Sequence, residues 1–462
     1  MSLWHADEVL AAVGGSGPGG WRASGVSIDS RTLEPGDLFV ALRGPRHDAH
    51  AFVADAFARG AAAAVVAADA EISAAGPLVR VADTQQALEA LGRAARDRSR
   101  ARIVALTGSV GKTGTKEALR RVLGAQAPTH ASAASHNNRW GVPLSLARMP
   151  ADAAFAVFEL GMNRPGEIRT LVAQVRPEVA LVTWVAAAHI GFFPDEAAIA
   201  RAKAEIFEVD PAPAVAVLPA DNPHEPLLRE VARRAGIRRI LRFGNAPGCD
   251  VRLLGLRLHA TGSEVEADVA GQPLGFRLAA PGRHWAMNTL AVLATVLALG
   301  ADVGAAAAAL AGFEPPSGRG RRLELALPEG GTVLLLDESY NANPESMRAA
   351  LAVLALQPGR RIAVLGDMAE LGDHAPGLHA GLAPAVEAAG PAEVHLCGAQ
   401  MRHLYEVLPA RLRGVLAPDA EALLPELRAR LRPGDVVLVK GSNASKMARL
   451  VEALQRPAAE DA

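Results

Sequence analysis

Four stretches of this chain carry residue types suited to moving a phosphoryl group. The first, Thr107-Gly108-Ser109-Val110-Gly111-Lys112-Thr113, follows an apolar run from Arg102 to Leu106 and leads into a helix-patterned segment from about Thr115. In a strand, loop, helix setting, glycines let successive backbone N–H groups turn toward phosphate oxygens, and the helix N-terminus adds partial positive charge. Gly108, Ser109 and Gly111 would form that cradle. Lys112 would neutralise the β- and γ-phosphates of ATP, and the Thr113 hydroxyl would hold Mg2+. The longer form of the motif has a glycine where this chain has Leu106, yet the shorter form keeps its specificity in this setting. A glycine turn that merely caps a helix is the plainer alternative.

Glu159 ends the next apolar run, Ala153 to Phe158, and His189 follows the one after, Val179 to Thr183. Side chains at the carboxyl ends of neighbouring parallel strands share one edge of the sheet, which is where ligands of such sheets bind. Glu159, Thr113 and His189 are therefore candidate Mg2+ ligands. Lys203 lies in a helical segment just beyond, where an ion pair with Glu205 or Glu208 is the plain reading.

A compositional bias argues for more. The chain has 48 basic residues, of which only five, Lys112, Lys116, Lys203, Lys440 and Lys446, are lysine. Arginine stays charged, whereas a desolvated lysine can lose its proton and add carbon dioxide to become a carbamate, an anionic metal ligand. Lys203 is the candidate for that chemistry. Lys116 and Lys446 read as helix-surface residues.

With 462 residues, half of them apolar, the chain should form two to four domains. A net charge of −1 and the lack of any basic, aromatic-rich stripe exclude non-specific nucleic-acid binding. Cys249 and Cys397 are isolated and read as buried thiols of a reducing cytoplasm. The acidic first residues do not form a secretion signal. The alanine-rich stretch from Thr289 to Phe313, broken at Gly300 to Gly304, reads as two buried helices rather than a membrane span. Residues 1–82 suggest a small α/β domain. Residues 83–314 suggest a doubly wound parallel mononucleotide-binding sheet, and 315–462 a third, Rossmann-like α/β domain entered through the linker Pro315 to Gly320. Nothing here demands more than a monomer.

Further strings now gain meaning. They include Ser27 to Arg31, Asn137-Asn138-Arg139-Trp140-Gly141, Gly282 to Asn288, Asp337-Glu338-Ser339-Tyr340-Asn341-Ala342-Asn343-Pro344, Gly366-Asp367-Met368-Ala369-Glu370-Leu371-Gly372 and Val439-Lys440-Gly441-Ser442. With the phosphate loop, Glu159, His189 and Lys203, they resemble the Mur ligases, the ATP-dependent amide-forming enzymes of peptidoglycan precursor synthesis, over essentially the whole chain. The Tyr340 and Glu370 strings favour members that add D-alanyl-D-alanine to UDP-N-acetylmuramoyl-tripeptide.

The resemblance implies that Lys112, Glu159, His189 and a carbamylated Lys203 serve catalysis and Mg2+, and that His284 and Asn288 lie near adenine. It implies that Arg319 or Arg322 reaches the phosphates from the third domain, with Asp337, Tyr340 and Asn341 on the same side. Ser30 and Arg31 would hold the uridine nucleotide, and Asn137, Asn138, Lys440 and Ser442 would meet substrate. This chain departs from the family pattern at Ala49, Ser135 and Glu338, where glycine, asparagine and aspartate are common. A sibling ligase adding another amino acid, or a nucleotide-gated switch protein, are the competing expectations; a switch would leave Glu159, His189 and Lys203 without a task.

Overall fold

Apolar runs without alternation become central strands when both faces of a sheet are covered. In the computed structural model, which describes residues 2–44 and 47–456, this happens three times. The middle sheet has nine strands. Six of them, Thr129–Ala131, Phe155–Glu159, Arg102–Thr107, Val179–Val182, Val215–Pro219 and Arg239–Gly244, run parallel in that spatial order. Val251–Leu258, Ser263–Val269 and Gln272–Leu278 extend the far edge, the last two by antiparallel pairing. Arg102–Thr107 has Phe155–Glu159 on one side and Val179–Val182 on the other, so strand order reverses around it and a crevice opens at its carboxyl end.

Helices Lys112–Gly124, Arg283–Ala298 and Val303–Leu310 cover one face of this sheet. The alanine-rich stretch is thus two helices divided by a turn, and among the described residues no helix is long and apolar enough to cross a membrane.

The N-terminal sheet has four parallel strands, Gly25–Ser27, Asp37–Val40, Ala63–Ala67 and Leu78–Val81. Helix Thr84–Arg98 starts where Asp83 accepts the backbone N–H groups of Gln85 (2.7 Å) and Gln86 (3.0 Å). Its Ala87, Leu88, Leu91 and Ala95 share one core with those strands and with Leu144 and Ala147 of helix Gly141–Ala147.

The third sheet is Arg321–Ala326, Thr332–Glu338, Val436–Lys440, Arg361–Gly366, Glu393–Cys397 and Arg413–Ala417, parallel apart from the first pair. The last strand in sequence returns to the middle, placing Glu338, Gly366 and Lys440 at adjacent carboxyl ends. One apolar core runs from the middle sheet into this domain, with Phe158 and Phe207 from one and Leu336, Met347 and Met368 from the other.

Some expectations need correction. The phosphate-loop helix begins at Lys112 rather than Thr115, because Gly111 at φ 83° already turns the chain into it. Lys116 is not on a helix surface but fully buried, since backbone carbonyls converge on its ammonium. Lys446 is exposed but precedes its helix in a left-handed conformation instead of lying within it. Cys249 is only half-buried; Cys397 is buried, and burial pushes its thiol up to about 12. The segment from Pro315 to Gly320 is no slack linker, because Asp337 fixes it at both the Gly318 and Gly320 N–H groups (2.7 and 2.8 Å).

Candidate active site

The phosphate loop is braced from the neighbouring strand. A β-carbon on Gly108 would stand 1.9 Å from Thr183 Oγ1, which donates to Val110 O at 2.6 Å. Ser109 Oγ donates to Ala186 O and accepts from Ala186 N, at 2.8 and 3.0 Å. Gly108→Ala must therefore push the loop and Thr183 apart. It is expected to cost about 1–3 kcal/mol of stability and to weaken ADP binding, measured by thermal melts and titration calorimetry; unchanged ADP affinity would contradict this. Lys112 Nζ donates to Gly108 O at 2.7 Å, folded back over the loop it would leave on meeting a phosphate. Burial lowers its pKa, the Glu159 charge raises it, and Arg319 lowers it again.

Glu159 is the centre of the site and is 1% exposed. One carboxylate oxygen accepts the Thr113 hydroxyl (2.9 Å) and the other accepts Asn137 Nδ2 (2.8 Å). A buried carboxylate beside a hydroxyl at the end of a phosphate loop is the hard-oxygen donor set that Mg2+ prefers while keeping several waters. These residues fit the ion. Among the described residues, no cluster of three His, Cys, Asp or Glu side chains could hold a metal.

Lys203 is 2% exposed, and burial holds its pKa far below the usual lysine range, with the Lys112 charge adding to the effect. That favours the neutral amine. His189 is not drawn to Glu159: its Nδ1 donates to Glu370 of the third domain, while Gly191 N donates to Glu370 O at 2.9 Å. Both His189 and Glu370 adopt left-handed φ, 62° and 63°.

Hydrogen bonding to His189 holds the Glu370 carboxyl below its ordinary 4.5. A depressed carboxyl contributes stability above its unfolded pKa and loses it as pH falls through the folded value. Without nucleotide, Glu370→Gln should therefore melt earlier than wild type above pH 4.5, with the gap closing as pH falls below 4.5 through the folded value; a constant gap in thermal melts would exclude the pair.

Of the two candidate arginines, only Arg319 faces the loop. Its Nη2 is 3.5 Å from Ser135 Oγ, its guanidinium lies over the Tyr340 ring (4.3 Å), and its charge is felt at Lys112. Arg322 instead donates to Ala260 O and Gln357 Oε1, at 2.8 and 3.0 Å. Asp337 is buried beneath the Arg319 turn and accepts from Gly318 N and Ser339 Oγ, so it shapes the turn. Asn341 Oδ1 accepts Ala342 N, and its carbonyl accepts Lys440 Nζ at 2.9 Å. Lys440 also pairs with Glu338 at 3.2 Å. Ser442 is buried with its hydroxyl unpartnered.

Asn288 stands against the loop, since a β-carbon on Gly111 would meet its Oδ1 at 2.6 Å. His284 is half-buried, and desolvation lowers its pKa; Glu338 and Lys440 act on it in opposite senses. Asn138 Oδ1 accepts Trp140 N and Gly141 N, a local turn, both at 3.0 Å. Ser30 is buried, and Arg31 is exposed and paired with Asp29 at 2.6 Å, both at the carboxyl edge of the N-terminal sheet.

Three contacts escaped sequence reasoning. These are Glu370 on His189, Ser135 on Arg319, and the Trp285 ring, which a β-carbon on Gly114 would meet at 2.6 Å. The first two join residues 181 and 184 positions apart, and no local pattern could reveal them.

Fold and site together define a phosphate-loop enzyme whose nucleotide cradle, on one domain, is approached by an arginine from another. Comparison with known proteins makes this specific. Residues 22–100 match the Mur ligase family catalytic domain, 106–296 the Mur ligase middle domain, and 321–443 the Mur ligase glutamate ligase domain. The UDP-N-acetylmuramoyl-tripeptide--D-alanyl-D-alanine ligase of Escherichia coli K12 is 39% identical over 433 residues, 93% of each chain. That of Bacillus subtilis is 30% identical, again over 93% of each. The crystal structure of MurF from Acinetobacter baumannii superposes with a TM-score of 0.84 at 32% identity, covering 98% of both chains. MurF from Thermotoga maritima, in complex with ADP, gives 0.77 at 26%, over 95% of this chain and 98% of that one. The chain belongs to the Mur ligase family.

Proposed function

We infer that this chain is the ATP-dependent ligase that joins D-alanyl-D-alanine to UDP-N-acetylmuramoyl-tripeptide, giving the pentapeptide precursor of peptidoglycan. What carries the reading is the meeting of Lys112, Thr113 and Glu159 with Arg319 of another domain, in a chain collinear with ligases of that name. We assign residues 1–82 to the UDP sugar, 83–314 to ATP, and 315–462 to the dipeptide and to closure, in a monomeric cytoplasmic enzyme.

An amide requires an activated carboxyl group. The peptide carboxylate attacks the γ-phosphorus of ATP, the bond to the bridging oxygen breaks, and ADP leaves with that electron pair. The dipeptide amine then attacks the acyl carbon, phosphate departs, and the amine gives up a proton. Lys112 and Arg319 offset charge on the transferring group, from the loop and from across the domain boundary. Thr113 and Glu159 hold Mg2+, which when bound supplies further neutralisation of the phosphate oxygens. Asn137 fixes the Glu159 carboxylate, and Asp337 fixes the turn that presents Arg319. Burial disposes the Lys203 Nζ to add CO2 with release of one proton, and as a carbamate it would help Thr113, Glu159 and His189 hold Mg2+. Because an acyl phosphate is readily hydrolysed, the third domain must close over it and exclude water.

Phosphate release from Mg-ATP is the test. It should require both UDP-N-acetylmuramoyl-tripeptide and D-alanyl-D-alanine and yield a product heavier by the dipeptide. Release indifferent to the dipeptide would overturn the assignment.

A further inference from the structure

Lys116 is one of only five lysines, it is fully buried, and nothing in the reaction above uses it. Its ammonium donates to Ser132 O at 2.7 Å and Ala134 O at 2.5 Å, and it pairs with Glu117 Oε1 at 2.9 Å. Three acceptors converge on one point. A compact ammonium with three donors satisfies them, whereas a planar guanidinium fork is too wide. That explains why a chain rich in arginine keeps lysine here.

What Lys116 grips is the segment that leaves edge strand Thr129–Ala131 and supplies two groups to the site. Asn137 Nδ2 donates to Glu159 Oε1, and Ser135 Oγ meets Arg319. Ala134, itself the second gripped position and the residue next to Ser135, has φ 44°, which a residue with a β-carbon adopts only when its surroundings enforce it. Thr113 and Lys116 lie three residues apart on one helix, so they share a face. Thr113 reaches Glu159 directly, and Lys116 reaches it through Ser132, Ala134 and Asn137. The two paths close a ring around a single carboxylate.

We propose that Lys116 is a positioning residue for the metal site: it clamps residues 132–138 so that Asn137 occupies one oxygen of Glu159 and leaves the other to Thr113 and Mg2+. This deepens the reading of Thr113 and Glu159 as the Mg2+ site and rests on it. Groups that orient metal ligands typically change metal affinity 10–100-fold when removed.

The test measures free Mn2+ by electron paramagnetic resonance during titration of the full chain in the presence of ADP. Lys116→Met and Asn137→Ala should each weaken Mn2+ binding about tenfold, with metal-free ADP binding and the circular dichroism spectrum unchanged. The double variant should be no worse than the weaker single variant, because both substitutions cut the same path to Glu159. Lys116→Arg, which keeps the charge but not the geometry, should show the same defect. A folded Lys116→Met or Lys116→Arg protein with wild-type Mn2+ affinity would overturn the proposal, as would additivity with Asn137→Ala. Failure of both Lys116 variants to fold, while Asn137→Ala folds, would make Lys116 a core residue only and also overturn it. The assay contains no dipeptide, so an error in the amine substrate would leave these affinities standing.

Discussion

An Arg319→Ala enzyme is expected to bind ATP nearly as well as wild type yet turn over about 10³-fold more slowly, the lower end of the effect of an arginine supplied to a transferring phosphoryl group. That factor corresponds to about 4 kcal/mol of barrier. The argument is positional. Arg319 enters from a turn held by Asp337, lies against Tyr340, and makes its charge felt at Lys112, but its contact with the middle domain, to Ser135, is long at 3.5 Å. A group contributed across a domain boundary engages fully when the domains close on substrate, so its loss should appear in kcat rather than in the KM for ATP. Arg322→Ala is the matched control, because that side chain is occupied by Ala260 and Gln357. Steady-state phosphate release decides the matter. A kcat loss that follows Arg322 rather than Arg319 would reverse the assignment.

Lys203→Arg should keep the fold and lose activity by a factor on the order of 10³, comparable with removing one preorganised group that stabilises transition-state charge. Burial favours the neutral Lys203 amine, and only a neutral amine can attack CO2. An arginine in the same place stays protonated and cannot form the carbamate. The wild-type enzyme, stripped of CO2 and assayed in degassed buffer, should accordingly lose turnover and recover it on addition of bicarbonate, while Lys203→Arg should respond to neither treatment. Incorporation of ¹³CO2 would give a carbamate carbonyl signal in wild type alone. An active Lys203→Arg enzyme, or a wild type indifferent to CO2, would remove the carbamate from the mechanism.

Both predictions begin from residues the sequence singles out, but they depend on it to different degrees. Lys203 stands out because lysine is rare here and because it follows a sheet-edge histidine. Arg319 does not stand out from Arg322 three positions later. The difference is made by alternation: Arg322 lies in strand Arg321–Ala326, where the pleat turns it toward Ala260, whereas Arg319 lies in the preceding turn. Lys116 was misread because helical spacing gives the face a residue occupies, not what covers that face. A segment leaving an edge strand covers this one.

The sequence by itself determined the phosphate loop, the parallel sheets and the strand ends that carry Glu159 and Lys440, because these follow from local rules: glycine conformations, unbroken apolar runs and the periods of helix and strand. It also determined the family, through strings dispersed along the whole chain. Tertiary structure decided which oxygen of Glu159 meets Thr113 and which meets Asn137, that His189 turns to Glu370, that Asp337 braces a turn, and that Lys116 is enclosed. Contacts of that kind join residues tens to hundreds of positions apart across sheet edges and domain boundaries. Their partners are fixed by packing, which no short stretch of sequence encodes.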